Sequence, residues 1–357
     1  MNNSCEKQYV IDKRYCMSSF LAVRYVAKGN VAWADGVLPN FKSRDFSKSD
    51  VVYNADDIDK SIQKQLEKID LFKTGIMLSG GMDSAILATY LPKGANAYTM
   101  RTLAEGSVNE VAQAKFYADK LGLNLKIVDI TWDDYKEFIP IIAKNKKSPF
   151  HSIEPQIYKT LLAAKQDGCE YVLCGENADV IFGGFDGLLS KDWKYEDFIK
   201  RYNYVNPEII LKDCVSVNEP YLPYKNGTSI DVHEFVSHVF AEESLNSYMN
   251  VANISKINLI MPFSNMKMGC RLDLERVRNG ENKYFIRELF RKRYNGLEPN
   301  KKLPMPRAVG IWLKDWQGPR RPEFKEFDIN ELKPDQKWLV YILEQFLIML
   351  DNGELND

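Results

Sequence analysis

Ser79-Gly80-Gly81-Met82-Asp83-Ser84 is the segment of this chain best suited to chemistry. It follows the apolar run Ile76-Met77-Leu78 and precedes Ala85-Ile86-Leu87-Ala88, so it reads as the loop between a buried strand and a helix. Such a loop aims several backbone N–H groups at one point. Two glycines let an anion approach the backbone, and the helix dipole adds partial positive charge. Asp83 then stands within reach of that anion, which suits phosphates carrying Mg²⁺, since the metal needs an oxygen ligand from the protein. A turn needing glycine only for its geometry would explain the two glycines, but not Ser79, Asp83 and Ser84 beside them. We therefore read the loop as a nucleotide pyrophosphate site. The Lys-based phosphate loop G-x-x-x-x-G-K-[ST] and the dinucleotide fingerprint G-x-G-x-x-G are both absent.

A second constellation follows another apolar run, Tyr171-Val172-Leu173-Cys174, and reads Gly175-Glu176-Asn177-Ala178-Asp179-Val180-Ile181-Phe182-Gly183-Gly184-Phe185. Ligands of open α/β sheets bind at the carboxyl ends of strands, which puts Glu176 and Asp179 at the same edge as the first loop. Asp83 and Asp179 could share one Mg²⁺, and Glu176 could position or deprotonate an incoming nucleophile. An acidic helix N-terminus would carry the same residues for capping alone, and this motif by itself does not separate the two readings.

The elements that must position these residues form three stretches. Residues 1–54 alternate apolar and aromatic residues (Tyr25, Val26, Val31, Trp33, Val37) with Gly29, Gly36 and Pro39, which predicts a short β-rich segment of strands and turns. Asp56-Asp57 is expected to cap a helix carrying Ile58, Ile62, Leu66 and Ile69 on one face. Residues 55–190 alternate strands (75–78, 97–100, 125–130, 171–174) with helices (110–121 and 155–166), the pattern of a parallel twisted sheet with flanking crossover helices. Residues 191–357 read as mainly helical. The fold class is α/β.

Composition narrows the function. Of 357 residues 45% are hydrophobic and 27% charged, and the net charge of −1 gives no electrostatic case for nucleic-acid or membrane binding. The six cysteines form no C-x-x-C, and a total of three histidines argues against a His-rich metal site. No signal peptide or membrane span is visible, so a reducing, cytoplasmic setting is expected.

The two motifs, in this order, resemble the synthetase domain of the asparagine synthetase family, which belongs to the PP-loop ATP pyrophosphatases (adenine nucleotide alpha hydrolase-like). The resemblance runs from about residue 55 to 318. Ser79–Ser84 resembles the family's pyrophosphate loop. Gly175–Asp179 with Gly183-Gly184-Phe185 resembles its G-E-G-A-D-E and F-G-G-Y signature. Met261-Pro262-Phe263 matches its P-F-L-D segment, Lys283-Tyr284-Phe285-Ile286-Arg287 its K-x-x-L-R, and Asn300-Lys301-Lys302 stands in place of its R-x-K.

The resemblance implies ATP and Mg²⁺ as cofactors: a substrate carboxylate attacks the α-phosphate, and ammonia or an amine then attacks the acyl-adenylate. It implies that Ser79, Gly80, Gly81 and Ser84 hold the phosphates, that Asp83 and Asp179 bind Mg²⁺, and that Glu176 assists the amine. Lys302 would neutralise departing pyrophosphate, with Lys283 as a further catalytic lysine. Backbone near Met77 and Met100 would contact adenine, with Cys174 and Gly175 completing the nucleotide site. Lys302 reads equally as a solvated lysine, and Lys283 as a helix-surface residue.

Departures from the family pattern shape the remaining expectations. Position 2 is Asn, where the family's glutaminase domain has its nucleophilic cysteine, and about 55 residues precede the matching region, too few for that domain. The expected partners are thus a small-molecule carboxylic acid and ammonia or an amine, with a separate glutaminase as one source of ammonia. Asn177, Val180, Asn265 and Asn300 replace Gly, Glu, Asp and Arg. This loss of charge argues against plain aspartate as acceptor. Two other functions compete: a PP-loop enzyme that adenylates a nucleic-acid base, and a degenerate nucleotide-binding regulatory protein.

Overall fold

The computed structural model describes residues 9–42, 45–300 and 305–356. At its centre lies a five-stranded, wholly parallel sheet in the order Asn258–Ile260, Tyr171–Leu173, Thr74–Met77, Asn96–Thr102, Asn124–Ile130. All four residues of Thr74–Met77 are buried, which is why this strand reads as a continuous apolar run rather than an alternating one. Gly75 is needed there. A Cβ on it would lie 2.9 Å from the Tyr98 ring and 3.1 Å from Cys169 Sγ.

The path through the sheet decides where a ligand can sit. From Thr74–Met77 the chain moves outward to Asn96–Thr102 and Asn124–Ile130, with the helices Met82–Ala88 and Val111–Leu121 as crossovers. It then returns through Trp132–Lys146 and Glu154–Gln166 to place Tyr171–Leu173 on the opposite side of Thr74–Met77. The order reverses between these two strands, and their carboxyl ends flank the crevice that such a switch point creates.

The expected strands and helices of residues 55–190 are present. The helix Ala55–Leu66 is capped by Asn54, whose side chain accepts from Asp57 N, while Asp56 and Asp57 occupy its first turn; this corrects the cap assignment. The N-terminal segment contains short strands at Val10–Ile11, Val31–Ala32 and Asp50–Val52, and in addition an unforeseen helix, Lys13–Val23. That helix is buried continuously from Tyr15 to Val23, so it has no polar face to reveal its period. The C-terminal part is helical as expected, but it also supplies the edge strand Asn258–Ile260 and the strand Met266–Met268, which pairs with Asp50–Val52. Among the described residues no helix is long and apolar enough to cross a membrane.

Candidate active site

The two motifs meet at the switch point. Ser79–Gly81 links the strand Thr74–Met77 to the helix Met82–Ala88, whose N-terminus receives no side-chain cap, the setting in which helix termini bind anions. The serines brace the loop itself. Ser79 N donates to Ser84 Oγ at 3.1 Å, Gly81 N donates to Ser79 Oγ at 3.1 Å, and the two hydroxyls are 2.9 Å apart. At Gly80 a Cβ would lie 2.2 Å from Gln113 Oε1 and 2.4 Å from Gln113 Cβ, so no larger residue fits.

Gly175 brings the second motif onto the first. A Cβ there would be 2.9 Å from Ser84 N and 3.0 Å from Asp83 Cβ. Beside it, the buried thiol of Cys174 is pushed well above its ordinary range by burial. Met77 is buried at the end of its strand and Met100 half-buried on the neighbouring one.

Asp83 and Asp179 converge on one cation, the ammonium of Lys283. Its Nζ donates to Asp83 Oδ1 and Oδ2 at 2.5 and 2.6 Å and to Asp179 Oδ1 at 2.9 Å. Lys283 is buried, with a side chain 6% exposed, so it is not a helix-surface residue. It caps the helix Tyr284–Arg293 with φ 52°, a left-handed conformation that costs a non-glycine residue about 1–3 kcal/mol. Burial lowers its pKa, but Asp83 and Asp179 together outweigh that and raise it, so the ammonium stays charged. Gly184 makes the convergence possible: a Cβ there would lie 2.3 Å from Asp179 Oδ1 and 2.8 Å from Lys283 Cδ. The helix is held to the core by Tyr294, whose hydroxyl donates to Ala85 O at 2.8 Å, and by Arg293, which pairs with Asp59.

This arrangement fits Mg²⁺. Two carboxylates from separate motifs already converge on one positive charge, and carboxylate oxygens are the hard donors the metal prefers. Among the described residues no group of three or more His, Cys, Asp or Glu gathers around a metal position. Asp83 and Asp179 would thus be the residues that hold Mg²⁺, which would supply positive charge against bound phosphates.

Glu176 stands apart from this cation. Its Oε1 accepts from Ser244 Oγ at 2.7 Å, and Tyr248 also interacts with its carboxyl. Burial raises its pKa above the ordinary glutamate range, opposed by these two hydroxyls. Ser244 and Tyr248 lie on the helix Ala241–Ser255, 68 residues beyond Glu176 in the case of Ser244, and no sequence signal marks them.

The four departures differ in their surroundings. Asn177 is a buried turn residue with φ 69°, and its Nδ2 donates to Ser264 Oγ at 3.0 Å. Asn tolerates this conformation better than most residues, so it preserves the backbone shape a glycine would give. Asn265 is exposed and donates to Gln65 Oε1, Asn300 is exposed, and Val180 is buried in the core. Lys302 lies outside the described residues.

Residues 55–255, more than half of the chain, match the family model of asparagine synthase. The chain belongs to the asparagine synthase family. Over 131 residues it is 32% identical to a candidate glutamine-hydrolyzing asparagine synthetase of Methanocaldococcus jannaschii, a match spanning 35% of this chain and 23% of the archaeal protein. Among solved structures, it resembles NMN synthetase from Francisella tularensis at 13% identity and a TM-score of 0.28, covering 71% of this chain and 99% of that one. It also resembles a subunit assigned to a tRNA methyltransferase from M. jannaschii at 14% identity and a TM-score of 0.24, covering 66% and 93%. Overlaps this loose carry no functional weight.

Proposed function

We propose that this chain is an ATP-dependent, AMP- and pyrophosphate-forming amide synthetase. The observation that supports it most is the convergence of Asp83 and Asp179 on one cationic position beside the uncapped helix at Ser79–Ser84. In this reading the loop and the N-terminus of the helix Met82–Ala88 cradle the β- and γ-phosphates, with the Ser79 and Gly81 N–H groups exchanging their bonds inside the loop for phosphate oxygens. Asp83 and Asp179 hold Mg²⁺, which when bound offsets phosphate charge. A carboxylate oxygen of the acid attacks the α-phosphorus as its bond to the β-phosphate oxygen breaks.

Lys302 and Lys283 supply positive charge as pyrophosphate leaves. Glu176 then orients ammonia or an amine toward the acyl carbon and accepts its proton, and AMP departs with the electron pair of the broken acyl–oxygen bond. Adenine would lie against the backbone at Met77, Met100, Cys174 and Gly175.

The acid is a small-molecule carboxylate other than plain aspartate, a choice that rests on the charges lost from the family pattern where Val180, Asn265 and Asn300 replace Glu, Asp and Arg. Nitrogen comes as free ammonia, an amine, or ammonia from a separate glutaminase, in the cytoplasm. Product analysis tests the reading. AMP and pyrophosphate appearing only when acid and amine are both supplied supports it; ADP and phosphate, or a modified nucleic-acid base, would replace it.

A further inference from the structure

The N-terminal segment precedes the matched residues 55–255, yet a buried ion pair connects it to the surroundings of Glu176. Arg24 ends the helix Lys13–Val23 with φ 68° and is 7% exposed. Its guanidinium lies 4.0 Å from the centroid of the Tyr204 ring and 5.2 Å from that of Phe240. Nη2 donates to Glu243 Oε2 at 2.6 Å. Glu243 directly precedes Ser244, the residue that donates to Glu176, and Tyr248 follows one turn later on the same helix. Glu243 also accepts from Ser247 Oγ at 3.4 Å, and Ser247 Oγ accepts from Lys146 Nζ at 3.3 Å.

Stability alone is a poor reason for this pair. Removing two ions from water is costly, and an apolar pair of similar volume often holds a core as well or better. Arg24 Nε has no partner among the described residues, a further cost, and the left-handed backbone adds another. The Ala241–Ser255 helix is also held by Asn246, bonded to Lys42 N and O, and by Asn250, bonded to Asn145 and Glu154. The Arg24–Glu243 pair adds the directional charged tie directly beside Ser244. That tie matters because each residue turns a helix by about 100°, so a slip of one position would remove Ser244 from Glu176.

We propose that Arg24 is a positioning residue: through Glu243 it fixes the register of the Ala241–Ser255 helix, so that Ser244 and Tyr248 meet the Glu176 carboxyl. The inference rests on the role proposed for Glu176 in the amine step. It gives the N-terminal segment a task in that step without any contact with substrate.

The test compares wild type with the double variant Arg24→Met/Glu243→Leu and with Arg24→Lys. Hydrogen exchange is measured on the protein without substrates, and adenylation and amide formation are measured separately. The double variant keeps its fold and the protection of residues 74–77 and 96–102, but amides 174–180 exchange faster. Its amide-forming kcat falls on the order of a hundredfold, with pyrophosphate exchange and the KM for ATP little changed. Arg24→Lys, which retains the charge, recovers part of that rate. Unchanged protection at 174–180, or an equal loss across the sheet, overturns the proposal. Hydrogen exchange needs no turnover, so a chain inactive with every acid would overturn the proposed function while this arm still decides the role of Arg24.

Discussion

The ammonium of Lys283 lies 2.5 and 2.6 Å from the two carboxylate oxygens of Asp83, although 200 residues separate them in the chain. The contact fastens the C-terminal helix Tyr284–Arg293 to the first residues of the helix after the phosphate loop, and Asp179 joins the same ammonium. Under the proposed Mg²⁺ role, stability and metal binding meet at one point. Lys283→Met leaves Asp83 and Asp179 without that partner, and breaking a buried pair costs about 3–5 kcal/mol. Thermal unfolding with and without Mg²⁺ checks this: the variant melts lower, and Mg²⁺ alone raises its midpoint more than that of wild type. A variant indifferent to Mg²⁺ would remove the metal from the Asp83–Asp179 position.

Glu176→Gln keeps the shape of the side chain and removes its ability to take a proton. Adenylation, followed by pyrophosphate exchange, survives better than amide formation, which falls by the 10²–10⁴-fold typical of a lost general base. Equal loss of both steps would mean that Glu176 serves adenylation as well.

The same residue sets a pH limb. Burial raises the Glu176 pKa above its ordinary value of 4.5, and the role proposed for it in the amine step uses the ionised form. Amide formation at saturating substrates thus rises with pH through a limb above 4.5, and Ser244→Ala moves that limb further up by removing a hydrogen bond to the carboxylate. A limb that stays put in Ser244→Ala would show that another group controls it.

Gly184→Ala tests the close approach at the cation. The new Cβ would fall 2.8 Å from Asp179 Cα as well as against its carboxylate, so backbone must move. Overpacking of this kind costs about 1–3 kcal/mol. Weaker Mg²⁺ binding by calorimetry, beyond the loss of stability, is the expected result. Full affinity in a folded variant would show that the turn at Gly184 does not set the Asp179 position.

Glu323 predicts how acid loosens the ends of the chain. Burial pushes its pKa up, but Arg321 and Lys13 outweigh that and hold it at about 2. A depressed folded pKa contributes stability that is present above the ordinary value of 4.5 and is lost as pH falls toward 2. Lys13 starts the N-terminal helix, so this pair ties that helix to the C-terminal part. Glu323→Gln should be less stable than wild type at pH 7 and nearly equal to it at pH 2 by urea titration. A constant difference across that range would contradict the assignment.

Much of the fold was legible because the central strands are buried on both faces, and runs such as Ile76-Met77-Leu78 and Val172-Leu173 show it directly. The loops were legible because strand-end glycines tolerate few substitutes, as Gly80 and Gly175 demonstrate. The rest was hidden for physical reasons. Tyr15–Val23 is buried all round and shows no helical period, and Asn258–Ile260 is only three residues long. Lys283 acquires its meaning from a left-handed backbone and from partners 104 and 200 residues away. Ser244 and Tyr248 look like ordinary helix residues until tertiary packing brings them to Glu176.

The most direct measurement is ATP–pyrophosphate exchange across a panel of carboxylic acids, run on wild type and Asp83→Asn with Mg²⁺. Exchange with an acid other than aspartate, abolished in Asp83→Asn, is the predicted result. Exchange with aspartate alone would contradict the acceptor assignment. No exchange with any acid, or exchange that persists in Asp83→Asn, would contradict adenylation at this site.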